Sequence, residues 1–579
     1  MEAYKIAEIV SSHAESELGG YDALTKKLLH NRGIDTREKA LKFLNPDYAR
    51  DIYDPFLILN MGKAVDRILS AIGKEEKIII YGDYDCDGIP GSVVLHDFFK
   101  KIGYKNFSNY IPHRNKEGYG LNIPAIESFA RDGVTVMITV DLAITDINEI
   151  AHAQSNNIDV IVTDHHLPRV VLGKAGLPQE ILPNAYTIIN SKQKGDTYPD
   201  KMLCGAGVAF KLVQALVKRN GVKWGIKEGW EKWLLDMAGL STIADMVPLQ
   251  NENRALAHYG LKVLRKSPRP GVQNLLRKMK INQENLNEED ISFMFAPRIN
   301  AASRIGIPFE AFRLLSTKDE QEASELAEHL HKLNDNRKEM IAVMMSEVTR
   351  RTTGREMKKV IVIGNPNWSP GLLGILASNL VEKYERPAFV WGRGEEPELK
   401  GSCRSDGTVN MVEMMTSVRE NLFLNVGGHE FSGGFSISHE NIHFLEEELI
   451  TAYARVKKEG YIVPKSMIDC TLELDEVNDM TYRKIEKLSP FGVGNPKPTF
   501  LFENIEITAV KNFGKEKNHL ELIFQNSRGN KIPAIGFFTV AGDYKPEIEV
   551  GKKINLVATM EKSFFKFRPE IRLRIIDIL

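Results

Sequence analysis

Three short apolar runs in the first half of the chain end in acids or imidazoles. The first is Ile78-Ile79-Ile80-Tyr81-Gly82, followed by Asp83-Tyr84-Asp85-Cys86-Asp87-Gly88. The second is Val136-Met137-Ile138-Thr139-Val140, followed by Asp141. The third is Val160-Ile161-Val162-Thr163, followed by Asp164-His165-His166. Each is rich in β-branched residues and free of charge, as a strand buried on both faces should be. Helical stretches separate them, which predicts parallel strands in one α/β sheet. Ligands of such sheets bind beyond the carboxyl ends of the strands, where all three clusters lie. Carboxylates and imidazoles converging there repel one another unless a cation sits among them. The pattern therefore predicts a divalent metal site.

Further along, residues 1 to 60 read as helical and polar, and Ser92–Lys101 reads as a helix behind a tight strand-to-helix turn. Phe107–Ile111 reads as another strand. The Pro- and Gly-rich stretch Leu167–Ala185 reads as a surface excursion. Gly205–Val217 reads as a long apolar helix, and Leu234–Val247 carries Asp236 and Asp245 in an otherwise apolar stretch. From Glu310 to Arg351 the pattern is helical and charged, with Leu326, Leu330, Leu333 and Arg337 on one face. Periodicity leaves open a connecting helix or an ordinary helical domain. A second α/β unit begins at Lys359-Val360-Ile361-Val362-Ile363-Gly364, continues through the helix after Pro370-Gly371 and includes the strand Ala388–Trp391. Gly401-Ser402-Cys403-Arg404-Ser405 and Gly427-Gly428-His429-Glu430 read as its Gly-rich loops. From Ile468 on, alternating segments (Ile505–Val510, His519–Phe524, Ile554–Met560) predict a small β-barrel.

Length and composition narrow the class. At 579 residues the chain exceeds one core. Hydrophobic content of 43% and charged content of 26% are ordinary for a soluble globular protein. No apolar stretch has the length of a membrane span, and the start lacks a signal-peptide pattern. The four cysteines, Cys86, Cys204, Cys403 and Cys470, form no zinc or redox spacing. A reducing, cytoplasmic setting is expected. The net charge of −1 argues against bulk coating of duplex DNA but allows a local basic groove.

Mixed Asp and His ligands suit Mn²⁺ or Mg²⁺ better than Zn²⁺. Two such ions would serve phosphoryl chemistry. A single Asp-x-Asp is as well explained by a turn or helix cap, but three clusters at three strand ends are not. Arg114, Arg298, Arg304 and Arg404 lie beside Gly, Ser or Asn, a setting suited to phosphate oxygens; each alone also reads as a surface ion-pair partner. His429 reads equally as a substrate contact or a loop histidine. Lys562, Phe564, Phe565, Lys566, Phe567 and Arg568 read as a basic-aromatic strand-binding patch or as a barrel strand.

Asp83-x-Asp85-x-Asp87-Gly88, Asp141, Asp164-His165-His166 and Thr242-Ile243-Ala244-Asp245 resemble the four motifs of the DHH phosphoesterase superfamily. Gly401–Ser405 and Gly427-Gly428-His429 resemble its associated C-terminal domain. Pro490–Phe500 is similar to the start of the OB-type domain in the single-strand-specific exonuclease branch. The resemblance implies two α/β lobes (a DHH domain and a DHH-associated domain) joined by a long helix, plus a C-terminal OB-type β-barrel. The implied boundaries are 1–60 (N-terminal helical segment), 61–309 (DHH), 310–355 (connecting helix), 356–460 (DHH-associated) and 461–579 (OB-type). It implies metal ligation by Asp85, Asp87, Asp141, His165 and Asp245, with Asp83 and Asp164 supporting and His166 facing the scissile phosphate. Arg114, Ser402 and Arg404 match positions that hold a 5′-terminal phosphate, and Arg298, Asn300 and Arg304 match a segment near the strand path.

Three departures stand out. Leu142-Ala143 follow Asp141 where the family has Asn or Cys and then Gly; Ala resists backbone angles that Gly permits. Ser303 replaces a Gly, and Ser369 stands where His is common. The implied activity is metal-dependent 5′→3′ hydrolysis of single-stranded DNA to 5′-mononucleotides in repair and recombination. The implied partners are single-stranded DNA, a helicase and a single-strand-binding protein, with no membrane. One rival is a phosphodiesterase for short oligonucleotides or cyclic dinucleotides; another is a non-catalytic scaffold, although such proteins usually lose the metal carboxylates kept here.

Overall fold

The computed structural model describes residues 4–172, 178–354, 356–394, 398–458, 467–563 and 569–579. They divide into two compact units. One comprises Tyr53–Val247 and Tyr259–Val463; the other comprises Met1–Ile52, Pro248–His258 and Pro464–Leu579.

In the larger unit the predicted apolar runs are strands β1 (Lys77–Gly82), β2 (Phe107–Tyr110), β3 (Val134–Val140) and β4 (Asp159–Thr163). A hairpin follows, β5 (Arg169–Leu172) with β6 (Pro178–Ile181), then β7 (Thr187–Ile189). The stretch read as a surface excursion thus contains two short antiparallel strands. β2-β1-β3-β4-β7 form one sheet with every pair parallel. Ile78, Ile80, Val136, Ile138, Val160 and Ile161 are wholly buried, because helices cover both faces. Helix Gly88–Lys101 packs closely on helix Gly205–Asn220: a Cβ on Gly91 would lie 3.0 Å from the Ala206 Cα.

The charged segment after Pro308 is two helices, Pro308–Ser316 and the connecting helix Glu320–Thr352. Asp319 caps the latter, accepting from the Glu322 N–H (2.7 Å). Leu326, Leu330, Ile341, Met344 and Val348 form its buried stripe.

The second lobe contains β8 (Ile361–Gly364), β9 (Ala388–Arg393), β10 (Leu399–Arg404), β11 (Asn425–His429) and β12 (Ser432–Ile437), ordered β11-β12-β10-β9-β8. The two stretches read as Gly-rich loops are therefore strands. Gly401 and Gly428 mark close packing rather than turns: a Cβ on Gly401 would lie 2.0 Å from the Phe435 ring and one on Gly428 2.3 Å from the Ser432 carbonyl oxygen, while Gly427 faces open space.

The smaller unit is a seven-stranded sheet, β13 (Cys470–Thr471), β14 (Phe500–Glu506), β15 (Ala509–Phe513), β16 (His519–Gln525), β17 (Lys531–Gly536), β18 (Lys553–Ser563) and β19 (Glu570–Ile578). Leu520, Leu522 and Phe524 alternate into its core with Phe500 and Phe502. The expected strand Ile505–Val510 instead spans the break between β14 and β15. Of the basic-aromatic patch, Phe564–Arg568 lie outside the described residues, and Lys562 pairs with Asp479 at 3.3 Å.

Candidate metal centre and its cleft

The parallel ladder continues one residue past the strands. The Asp83 N–H donates to the Val140 carbonyl (3.0 Å), Asp141 N–H to Thr163 (2.9 Å) and Asp164 N–H to Ile189 (3.2 Å). Three acids thus leave the sheet at one level. The chain then folds back tightly after Asp83, since a Cβ on Gly88 would lie 2.5 Å from the Asp83 carbonyl oxygen. Asp85 Oδ1 accepts from the N–H groups of Asp87 (2.8 Å) and Gly88 (3.2 Å). Asp87 accepts from Gly205 N–H (2.6 Å) and Ala206 N–H (2.8 Å), at a helix N-terminus that favours an anion. Gly205 must be bare, because its Cβ would lie 2.7 Å from Asp141 Oδ1.

His165 Nε2 lies 3.1 Å from Asp141 Oδ1, 3.7 Å from Asp87 Oδ2 and 3.7 Å from Asp245 Oδ2. Ligand atoms of Asp87, His165 and Asp245 lie within 4.8 Å of one another, as do those of Asp141, His165 and His166, and those of Asp83, Asp85 and Asp141. Asp83 therefore stands among possible ligands as well as in support. Burial, then Asp87 and Asp85, push Asp245 up to about 9. Burial and Asp85 push Asp87 up to about 6. Burial also raises Asp83 and Asp141 well above the carboxylate range, with neighbouring acids adding to it. Burial and His166 push His165 down to about 3, which keeps it a neutral donor. Asp83 Oδ1 and Asp141 Oδ1 are buried without a hydrogen bond. Such acceptors are costly unless an ion takes them up. Hard oxygens with imidazole nitrogen fit Mn²⁺ or Mg²⁺.

Asp164 is of another kind. Its carboxylate accepts from the N–H groups of His165 (2.7 Å), His166 (3.1 Å) and Ile144 (3.0 Å), and Oδ1 holds His166 Nδ1 at 2.8 Å. Burial opposes both charges in this pair, but their contact outweighs it: Asp164 is lowered and His166 raised. Tyr119 donates its hydroxyl to the Asp141 carbonyl (3.3 Å) and stands 3.4 Å from His166 Nδ1. Asp141 (φ 65°) and Ala143 (φ 90°) both adopt left-handed backbone, at the place where the family pattern has glycine.

The centre opens on a cavity of about 1360 Å³ between the two lobes. Arg114, Asn300, Arg304, Ser402, Arg404 and His429 all line it. Arg114 stacks on Tyr84 at 5.1 Å. The Ser402 hydroxyl accepts from Arg404 (3.2 Å), and both face Gly374 of helix Pro370–Tyr384, where a Cβ would lie 3.0 Å from the Arg404 guanidinium and 3.2 Å from Ser402 Oγ. The bare helix surface lets Ser402 and Arg404 close up against the first turns of the helix. Arg304 donates to the Gly371 carbonyl (2.9 Å). Asn300 also accepts from Cys86 N–H (2.8 Å), bracing the acidic turn. Arg298 is not on the cavity wall: it is buried, donating to the Met294 carbonyl (2.6 Å) and to His331 (3.0 Å). Helical spacing explains this, since Asn300 and Arg304 share a face and Arg298 does not.

The sequence reading passed over Lys192, whose ammonium shares the field of Asp245, Asp164 and Asp141 while burial lowers its pKa. Its signal was available: it follows β7, the next strand end of the same sheet.

Fold and site together define a DHH-type protein with an added OB domain. Residues 77–242 match the DHH family N-terminal domain, 357–455 the DHHA1 domain and 468–577 the RecJ OB domain. The single-stranded-DNA-specific exonuclease RecJ of Bacillus subtilis is 36% identical over 557 residues, covering 96% of this chain and 67% of the relative. That of Haemophilus influenzae is 30% identical, covering 90% and 91%. A crystal structure of RecJ with Mn²⁺ from Thermus thermophilus shares the fold, with a TM-score of 0.80 at 24% identity over 100% of this chain and 79% of that one. An exonuclease RecJ bound to manganese has a TM-score of 0.58 at 31% identity over 69% of this chain and 95% of that one. The chain belongs to the RecJ family. Among the described residues no helix is long and apolar enough to cross a membrane.

Proposed function

We propose that this chain is a metal-dependent exonuclease that degrades single-stranded DNA from its 5′ end to 5′-mononucleotides. The observation that carries the reading is the sharing of one cavity by an acid–imidazole centre and a Ser402–Arg404 cradle. Asp85, Asp87, Asp141, His165 and Asp245 would hold two Mn²⁺ or Mg²⁺ ions, with Asp83 beside them. When bound, the ions supply Lewis-acid polarisation of a phosphoryl oxygen and a more acidic water.

The protein's own residues do the rest. His166, fixed at Nδ1 by Asp164 and raised in pKa, presents Nε2–H to a phosphoryl oxygen as negative charge develops. Ser402, Arg404 and Arg114 hold the 5′-terminal phosphate beside the N-terminus of helix Pro370–Tyr384, a favourable place for an anion. A fixed 5′ end sets which phosphodiester meets the metal centre, so one nucleotide leaves per turn. Asn300, Arg304 and His429 contact the strand in the same cavity, and Arg298 supports that wall from behind. The OB-type domain adds affinity by stacking and backbone charge. The division into 1–60, 61–309, 310–355, 356–460 and 461–579 assigns these tasks to separate domains. A cytoplasmic role in repair and recombination, with a helicase and a single-strand-binding protein supplying the strand, completes the reading.

The test is purified protein with Mn²⁺ and single-stranded DNA labelled at either end, beside matched duplex and RNA. Mononucleotides released from the 5′ end of single strands alone are expected. Cleavage confined to very short oligonucleotides would make the chain a small-substrate phosphodiesterase, and strand binding without turnover would make it a scaffold.

A further inference from the structure

Cys204 is a wholly buried thiol for which the proposed reaction has no direct use. It is the N-cap of helix Gly205–Asn220, and its sulfur accepts from the Gly207 N–H (3.3 Å). Cap positions favour Ser, Thr, Asp or Asn, and sulfur is a weak acceptor. The chain gives up capping strength here, a local loss of the kind that accompanies functional sites. The two N–H groups ahead of Gly207 are those that hold Asp87: Gly205 donates to Oδ2 at 2.6 Å and Ala206 to Oδ1 at 2.8 Å. Cys204 thus fixes the turn that fixes Asp87.

On its other side the sulfur lies 3.6 Å from Thr242 Oγ1. Thr242 spends its own hydrogen on the Ala238 carbonyl (2.7 Å), so the thiol is the donor in this contact. Thr242 stands on helix Leu235–Ala244, which Asp245 caps at its C-terminal end. Beyond Asp245, Val247 closes a small buried cluster with Cys204 and Ala206. The chain on both sides of Asp245 is therefore packed against the turn that holds Asp87, and Cys204 is common to these contacts. On the cavity side the same two carboxylates meet His165, whose Nε2 is 3.7 Å from Asp87 Oδ2 and 3.7 Å from Asp245 Oδ2. Burial, then Asp87 and Asp245, raise the Cys204 thiol well above its usual range, so it stays neutral beside them. A neutral brace adds no charge to a crowded set of acids.

We propose that Cys204 is a positioning residue for the metal centre: it sets the separation of Asp87 and Asp245, and through it the affinity of the Asp87–His165–Asp245 set for its ion. It touches neither substrate nor ion. The inference deepens the exonuclease reading and rests on it for the identity of the ligand set. Serine separates the two tasks of the thiol. Cys204→Ser keeps a cap, and a stronger one. With a shorter bond to its hetero atom, it draws away from Thr242.

Calorimetric titration of the metal-free full chain with Mn²⁺, beside thermal melts, is the test. Cys204→Ser is expected to melt no lower than wild type without metal and yet to bind Mn²⁺ about 10-fold more weakly, the loss typical of a group that holds a metal ligand from behind. Half-maximal turnover should need correspondingly more Mn²⁺, while the rate at saturating Mn²⁺ recovers. Wild-type Mn²⁺ affinity in Cys204→Ser would reduce Cys204 to a helix cap and overturn the proposal. Should the melts reveal that Cys204→Ser is unfolded, Thr242→Val decides instead. It leaves the cap intact and removes the group that the thiol faces, so weakened Mn²⁺ binding supports the proposal and unchanged binding sinks it. The exonuclease reading fails separately. Weakened Mn²⁺ binding in the variants of a chain that releases no 5′-mononucleotides keeps the positioning role and removes the exonuclease; 5′-end turnover with unchanged Mn²⁺ binding does the reverse.

Discussion

Two acids, the buried Asp236 and the half-buried Asp245, stand at opposite ends of helix Leu235–Ala244, and the chain treats them differently. Asp236, in the first turn, receives Arg269 through two hydrogen bonds (2.6 and 3.2 Å) and Ser267 through a third (2.9 Å). Arg269 also reaches Asp97 at 2.7 Å. Asp245 caps the other end, where the helix dipole disfavours an anion. Its carboxylate has His165 at 3.7 Å and a crowd of other acids, with Lys192 offsetting them only in part. The first acid has its cation built into the fold. On the proposed function the second is completed by a cation from solution, and as it stands it breaks a local rule of stability.

Substitutions should separate the two sharply. Asp245→Asn is expected to lower turnover on single-stranded DNA at least a thousandfold, about 4 kcal/mol of barrier. It should leave the melting temperature of the metal-free protein no lower and abolish the rise caused by Mn²⁺. Arg269→Met is expected to cost on the order of 3 kcal/mol of stability, because it strands Asp236 and Asp97 without their cation. Its response to Mn²⁺ should persist. Thermal melts of the two variants, with and without metal, measure both, and a metal-free Asp245→Asn that melts well below wild type would place Asp245 in the structural class.

A smaller effect follows from pH. Asp87 and Asp245 have folded pKa values raised to about 6 and about 9. Groups raised in this way contribute stability that is fully present below the unfolded carboxylate value and is lost as pH rises through the folded one. The metal-free protein should therefore lose stability as pH rises from the ordinary carboxylate range to about 9, the Asp87 share going by about pH 6 and the Asp245 share by about pH 9. Mn²⁺ must displace protons in the same window, so its affinity and the melting shift it causes should grow with pH. A shift that is constant across the window would show that these acids are already ionised without metal.

The legibility of the sequence followed the same division. Uniform β-branched runs gave the first sheet, and acids immediately after them gave the centre, because strand ends in a parallel sheet converge whatever the intervening loops do. Spacing misread the second lobe: Gly401 and Gly427 looked like turn residues, but they lie in strands, and at Gly401 the Phe435 ring occupies the place of a side chain. The break of Ile505–Val510 into two strands was likewise hidden, since alternation continues across it. Lys192 carried no periodic signal; its one mark in the sequence is its place just after the segment that became β7, and the fold adds the acids whose field it shares.

The smallest expected effect tests whether the departures from the family pattern matter. Ala143 holds φ 90° in a buried turn, fixed by the Thr139 hydroxyl on the Leu142 carbonyl (3.1 Å) and by the Ile144 N–H on Asp164 (3.0 Å). An L-residue in left-handed backbone costs about 1–2 kcal/mol. Glycine would remove that cost but enlarge the entropy of the unfolded chain by up to about 1 kcal/mol. Ala143→Gly should therefore raise the melting temperature only slightly, by less than about 1 kcal/mol of stability, and keep the Mn²⁺ response. Ala143→Val, with a branch at Cβ, should lose both stability and turnover, because the displaced turn carries Asp141 out of its ligand set. A glycine variant that melts lower than wild type would mean that the turn stores no strain, and that the alanine is as well suited to hold Asp141 as the residue it replaces.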